Sequence, residues 1–412
     1  MNKKTYGRRM LKDKEVFERK NTIKSSKLVL KITSSTWENA SRDRRELNVA
    51  KKLGAEVLVM AKGERTGEYE EVFNIPVYRM STKPLGNHAP AVFNRLFSVF
   101  TWAFQAAKFK ADVISGHDLI PLFIGWVSTL LVSRKKRPNL VYDSHEFTIY
   151  DGKKSWLNRI FTTYLEKFLI KRCSFVLEVN DCIADEVQQI HKLIQRPVVV
   201  RNIPEKWNID DTICKQMRIE IMKHFVSEEV SCLLMYHGVI APERGIETLI
   251  DVLSQNKNIC LFILGNGLEE YIDNLKFYAN EKKVFNRISF QKAVPHHELW
   301  KYVGAADIGM ITVRASWKSH YYMLPNKFFE NIQAETPVIC SDFPAISKLV
   351  KKYKVGMVCN PDSSSEINCC IEKLCNNKIF YNSCKQNIKI AKEELCWEKE
   401  QLVLENAYRR LL

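Results

Sequence analysis

Short runs rich in Val, Ile and Leu recur along the chain, separated by segments whose apolar residues fall three and four positions apart. The runs predict buried strands and the segments predict amphipathic helices. A first series of strands is expected at 28–32, 56–60, 77–78, 112–115, 140–143, 175–178 and 198–201. A helix over 42–53, with Leu47, Ala50 and Leu53 on one face, is stopped by Gly54. After Asn202-Ile203-Pro204 the chain turns polar, with a helical piece running to about Val226. A second series follows at 232–237, 259–264, 288–290 and 308–311, with helices entered at Gly245, Leu268 and His297. Strands alternating with helices make parallel sheets covered on both faces, and ligands gather at the carboxyl ends of their strands. The expected organisation is a basic arm over 1–26, a Rossmann-like domain over 27–205, a second over 206–395 and a closing segment over 396–412.

One stretch changes pattern within itself. In 324–342, Phe328, Phe329 and Ile332 keep helical spacing, Pro337 breaks it, and Val338-Ile339-Cys340 read as a buried strand. Pro325 suits the first helical turn, which puts Asn326 or Lys327 where free backbone N–H groups point outward. Such a helix start attracts phosphate, and Glu330, about one turn further in, would face a neutral, hydroxyl-rich part of the same ligand. A nucleotide sugar has that layout. Glu335, on the turn, is expected to have no such role.

Three further segments carry candidate chemistry. In 235–250, a strand ends at Gly238, a loop follows, and Arg244-Gly245 stands at the mouth of a helix, which together form an anion cradle. Gly265-Asn266-Gly267 is a tight turn between a strand and a helix, which a turn without ligand would equally use. Asp143-Ser144-His145-Glu146 follows a strand, so His145 and Glu146 lie on a loop at the carboxyl edge, where a histidine suits a sugar hydroxyl or developing charge. His117-Asp118 is a second candidate at the end of the preceding strand.

Charge and cysteine narrow the classes. The net charge is +16, with 37 Lys+Arg against 23 Asp+Glu in residues 1–210 and 26 against 24 in 211–412. The basic half predicts an anionic partner: a phospholipid surface, met by Arg134-Lys135-Lys136-Arg137 and the N-terminal arm, a pyrophosphate-linked acceptor, or nucleic acid. No zinc-finger, RNA-recognition or helix-turn-helix signature supports nucleic acid, and no G-x-G-x-x-G follows the first strand as a dehydrogenase would require. Twelve scattered cysteines without metal-ligand rhythm predict reduced thiols and a cytoplasmic protein. The apolar run at 119–132 is too short to span a bilayer.

Residues 324–342 resemble the donor-binding signature of the family 4 glycosyltransferases, retaining enzymes of the GT-B fold. The resemblance extends from about Leu28 to Leu412. It implies an α/β protein with two Rossmann-like domains facing each other across a cleft, and a final tryptophan-glutamate helix, Trp397-Glu398 onward, packing back on the first. It implies Glu330 on the ribose, Arg244 and Lys327 on the diphosphate with Asn326 beside them, and Gly238, Gly265 and Gly267 as close-approach positions. His145 would face the sugar, with Ser35, His117 and Glu146 on the acceptor side. Two positions depart from the family: Tyr322 replaces a glutamate and Val239 an arginine. The expected activity is transfer from a nucleotide sugar to a glycan or lipid-linked acceptor in surface polysaccharide synthesis, at the inner face of the membrane. Since the cations and the helix start meet the diphosphate charge, no metal or other cofactor is expected. A nucleotide-sugar epimerase of the same fold and a basic nucleic-acid-binding protein are the alternatives.

Overall fold

The computed structural model describes residues 9–10, 26–38, 40–144, 156–225 and 230–412. They form two units: residues up to Arg201 together with Gln401–Leu412, and Asn202–Glu400.

Among the described residues the first unit holds nine strands: β1 (Arg9–Met10), β2 (Leu28–Thr33), β3 (Glu56–Gly63), β4 (Tyr69–Val72), β5 (Ile75–Ser81), β6 (Val113–His117), β7 (Asn139–Asp143), β8 (Phe175–Glu178) and β9 (Val198–Val199). They lie in the order β1-β4-β5-β3-β2-β6-β7-β8-β9. From β5 through β9 every neighbouring pair is parallel, and only β1 and β4 run antiparallel to their partners. Strand β5 contains the strand expected at 77–78, whereas β1 and β4, and with it the β4–β5 hairpin, were not expected. The hairpin turns on Phe73 and Asn74, both at positive φ (55° and 59°), a mirror-image turn with a single asparagine as its sequence signal. The helices of this unit are α1 (Ser41–Lys52), α2 (Ala91–Lys108), α3 (Leu119–Leu130), α4 (Trp156–Ile170) and α5 (Asp181–His191).

At its centre β2 is wholly buried, yet it carries Lys31 in the middle. The lysine ammonium lies 2.8 Å from Asp143 and 3.1 Å from Asp43, and it also bonds Glu46. Burial pushes the Lys31 pKa down, but Asp143, Asp43 and Glu46 outweigh it and hold the ammonium above its ordinary range. Arg42, in the first turn of α1, is buried, donating to Asp143 at 3.0 Å and to the Val200 carbonyl at 2.6 Å. The Tyr408 hydroxyl donates to Glu46 at 2.5 Å, which ties the last helix to this network.

The second unit holds β10 (Cys232–His237), β11 (Ile259–Leu264), β12 (Ile288–Gln291), β13 (Ile308–Ile311), β14 (Val338–Ser341) and β15 (Gly356–Cys359). The sheet is parallel throughout, in the order β12-β11-β10-β13-β14-β15. Strand order reverses between β10 and β13, so a crevice opens at the carboxyl end of β10. Among the described residues nine helices cover it: α6 (Asp211–Met222), α7 (Ile246–Gln255), α8 (Glu269–Glu281), α9 (Leu299–Gly304), α10 (Lys318–Tyr321), α11 (Asn326–Gln333), α12 (Pro344–Tyr353), α13 (Ser364–Asn376) and α14 (Lys378–Glu394). The last helix, α15 (Trp397–Tyr408), begins in this unit and ends in the first. All twelve cysteines are free. No helix among the described residues is long and apolar enough to cross a membrane.

Removing Lys31 leaves three carboxylates without their central cation. Lys31→Met should therefore destabilise the fold by about 3–5 kcal/mol in urea unfolding. A loss below about 1 kcal/mol would show that the carboxylates re-pair without it.

Candidate functional site

The site in the second unit is set by how closely the loops after β10 and β11 approach. Gly238 follows β10 at φ 116° and donates its N–H to the Leu264 carbonyl at 2.9 Å. A Cβ on Gly265 would sit 1.9 Å from the Gly238 carbonyl oxygen, and one on Gly267 would sit 2.2 Å from that of Ile240. Neither position admits a side chain without moving backbone, which is why the two loops read as glycine turns. The Ala293 N–H donates to the Asn266 side chain, joining the segment after β12 to the same edge. From Gly238 the chain runs through Arg244 to Gly245, which enters α7 at φ 73°.

Helix α11 points its first turn at this edge. Its cap is Pro325, with extended backbone, so the proline stands one position before the helix rather than in its first turn as expected. Asn326 is exposed at the first helical position and Lys327 is buried. The Lys327 ammonium lies 4.0 Å from the centre of the Tyr236 ring and 3.7 Å from the place a Gly238 Cβ would occupy. Burial first, and the charge of Arg244 second, lower its pKa to about 7, and Glu330 offsets only part of this. Two cations with one nearby carboxylate therefore face the space beside Gly238, a field suited to an anion.

Glu330 is held from two sides. His237 approaches one carboxylate oxygen at 2.9 Å and His296 the other at 3.3 Å. Burial pushes the Glu330 pKa up, but the hydrogen bonds from His237 and His296 overcome this and hold it at about 2. The carboxylate is thus ionised and aimed, although the expectation placed no histidine beside it. His296 belongs to a short 3₁₀ turn, His296–Glu298, and its side chain is 65% exposed while that of Glu330 is 13% exposed. A ligand hydroxyl arriving at Glu330 meets the outer, His296 side first. Tyr322 caps the short α10, so no carboxylate stands at that position.

Of the expected donor residues, Gly238, Arg244, Gly265, Gly267, Lys327 and Glu330 thus come together, with Asn326 at the exposed start of α11. Glu335, for which no ligand role was expected, accepts from Lys392 at 3.0 Å, and that lysine is buried. His145 and Glu146 lie outside the described residues.

In the first unit, Ser35 follows β2 and His117 ends the adjacent β6, at the carboxyl edge where strand order also reverses. Ser35 is exposed, and its hydroxyl accepts from the Trp37 N–H at 3.3 Å. His117 Nδ1 is 2.8 Å from Asp43, which fixes the ring with Nε2 turned away from the network and 3.5 Å from Asp118. Asp43, His117 and Asp143 have ligand atoms within 4.8 Å of one another, the spacing of a metal site. The Lys31 ammonium already supplies the cation there, so the cluster does not fit a bound metal.

Comparisons with known proteins give the family and the fold. Residues 47–202 match the family model described as Glycosyltransferase Family 4, and residues 217–391 match that of the glycosyl transferases group 1. The chain belongs to this glycosyltransferase family. Similar solved structures include HepE from Anabaena in complex with UDP and glucose, 16% identical, with 93% of this chain and 99% of that chain covered at a TM-score of 0.72. Sucrose-phosphate synthase from Thermosynechococcus elongatus is also 16% identical, with the same coverage and a TM-score of 0.73. The lipopolysaccharide outer core galactosyltransferase WaaB is 12% identical, with 93% and 100% covered and a TM-score of 0.66. The fold is GT-B, with two Rossmann-like domains. A sequence comparison with curated proteins finds no match.

Gly265→Ala forces the two loops apart. It should cost about 2–4 kcal/mol of stability and abolish nucleotide-induced stabilisation. Thermal unfolding with and without a nucleoside diphosphate checks this, and a variant as stable and as responsive as the parent would contradict the close-approach account.

Proposed function

We propose that the protein transfers a sugar, with net retention at the anomeric carbon, from a nucleoside diphosphate donor to a glycan or lipid-linked acceptor in surface polysaccharide synthesis. The observation that carries this is Lys327, buried beside Gly238 with Arg244 as its neighbour, which favours a doubly charged phosphate group over an empty site. Glu330 takes the ribose hydroxyls, with His237 keeping it ionised and in place. The bond from the anomeric carbon to the diphosphate oxygen breaks, the acceptor hydroxyl oxygen forms the new bond, and its proton leaves with the diphosphate. Lys327, Arg244 and the start of α11 stabilise the charge gained by the departing group, without a metal or other cofactor. His117, oriented by Asp43, lies on the acceptor side with Ser35. His145 and Glu146 keep the roles implied by the family signature.

The assignments separate by substrate. Arg244→Ala should weaken binding of a nucleoside diphosphate far more than binding of its nucleoside, because the guanidinium is assigned to phosphate. Glu330→Gln should lower both donor affinity and transfer rate by about 10- to 150-fold, the worth of hydrogen bonds to a charged group. Calorimetry and a transfer assay read both, and full activity in Glu330→Gln at unchanged thermal stability would remove the donor site proposed here. Stoichiometric appearance of sugar on an acceptor separates transfer from epimerisation.

Lys327 also sets a pH dependence. Its pKa is lowered to about 7 in the free protein, and a bound diphosphate raises it, so binding favours the protonated lysine. Affinity should be greatest below pH 7 and fall as pH rises, by up to about tenfold per unit, until the raised pKa is reached. Lys327→Met should bind more weakly and lose this slope, and an unchanged slope in that variant would assign the titration elsewhere.

A further inference from the structure

Helices α2 and α4 of the first unit are apolar on the side turned away from the protein. On α2, Val92, Phe93, Leu96, Phe97, Phe100 and Phe104 are all exposed, although Trp102, Ala103 and Ala106 already supply the buried face. On α4, Trp156, Leu157, Ile160, Phe161 and Tyr164 are exposed, while Leu169 and Ile170 face the core. Helix α3 packs between them, and its Trp126 meets Phe168 of α4 edge-on at 5.1 Å. A surface helix of a water-surrounded domain normally turns charged and polar residues outward, so two neighbouring helices with aromatic outer stripes mark an interaction surface.

The charge of this surface selects the partner. No Asp or Glu occurs from residue 82 to residue 111, and α3 has none. The single acid of α4, Glu166, is buried, where it accepts from Tyr142 at 2.8 Å and lies 3.2 Å from His191. Exposed cations border the stripes instead: Arg95 and Lys108 on α2, Arg159 on α4, and Arg172 just after it. Lys108 lies over the Phe104 ring at 4.5 Å and Arg172 over the Phe168 ring at 3.5 Å, so aromatic faces and positive heads are already paired. Aromatic and aliphatic side chains flanked by Lys and Arg alone, on helices that do not span, are the composition of an interfacial helix.

We propose that the outer faces of α2 and α4 insert into the headgroup region of an anionic bilayer and hold the first unit on the membrane. The contact differs from the purely electrostatic one expected at Arg134-Lys135-Lys136-Arg137, which follows the far end of α3. Because the strands are parallel, α2 and α3 each leave the carboxyl edge of the sheet and return to its amino edge. The exposed stripe on α2 therefore borders the edge that carries Ser35 and His117. A lipid-linked acceptor would reach that edge without leaving the membrane, a consequence that rests on the transferase reading, whereas the membrane contact itself does not.

Flotation of the full-length protein with vesicles tests this without donor or acceptor. The protein should float with vesicles of phosphatidylglycerol and phosphatidylethanolamine in equal parts. It should float much less with phosphatidylcholine alone. Part of the binding should survive at about 1 M salt, where the screening length falls to about 3 Å, because insertion does not rest on charge alone. The triple variant Phe97→Gln, Phe100→Gln, Phe161→Gln should partition roughly 100-fold more weakly at unchanged thermal stability. Its stabilisation by a nucleoside diphosphate should stay that of the parent, so a failure of membrane binding and a failure of the donor site read out separately. Absence of flotation, undiminished flotation of the triple variant, or a parent dimer that the variant converts to monomer would overturn the proposal, the last by assigning the face to a second copy.

Discussion

Backbone proximity at the carboxyl end of β10 governs the donor side of this protein. The carbonyl of Gly238 stands where a Gly265 Cβ would be, and that of Ile240 stands where a Gly267 Cβ would be. With the loops in van der Waals contact, the space in front of them is bounded by main chain, which brings polar N–H groups close to any ligand at no side-chain entropy cost. Lys327 and Glu330, one helical turn apart on α11, then project into a region whose walls cannot retreat. That enclosure lowers the Lys327 pKa, while the hydrogen bonds from His237 and His296 hold that of Glu330 down against it.

Two buried lysines show how the same side chain serves opposite ends. Lys31 sits among Asp43, Glu46 and Asp143, is held charged, and binds β2 to α1 and β7. Lys327 meets an aromatic ring and an arginine, burial and that arginine outweigh the nearby Glu330 carboxylate, and its pKa falls to about 7. A buried ammonium surrounded by carboxylates is already neutralised, so it gains little from a ligand. One placed beside a second cation gains most when an anion arrives.

Much of this was legible in sequence because it depends on local pattern. Strands β8, β10, β11 and β13 fall where the apolar runs predict, and the glycine turns and the Pro-Asn-Lys helix start that the sequence singled out gather at one edge. Strand β4 and its hairpin with β5 escaped because the turn between them uses Phe73 at positive φ, which no residue preference announces. His237 and His296 escaped because they are distant in sequence from Glu330 and meet it only through the fold. A histidine directly before Gly238 was the one available signal. Lys31 in an otherwise apolar strand was a stronger signal, since an isolated lysine in a buried strand implies carboxylate partners. The ion pair of Glu335 with Lys392 required knowing where α14 packs.

The most direct test of the central claim is the proton balance of donor binding. At pH 8 Lys327 is mostly neutral in the free protein, and a diphosphate that contacts it must draw a proton from solution. Calorimetric titration with a nucleoside diphosphate in buffers of different ionisation enthalpy should show uptake approaching one proton, absent in Lys327→Met and absent for the nucleoside alone. Binding of the diphosphate with no proton uptake in the parent protein would contradict the account.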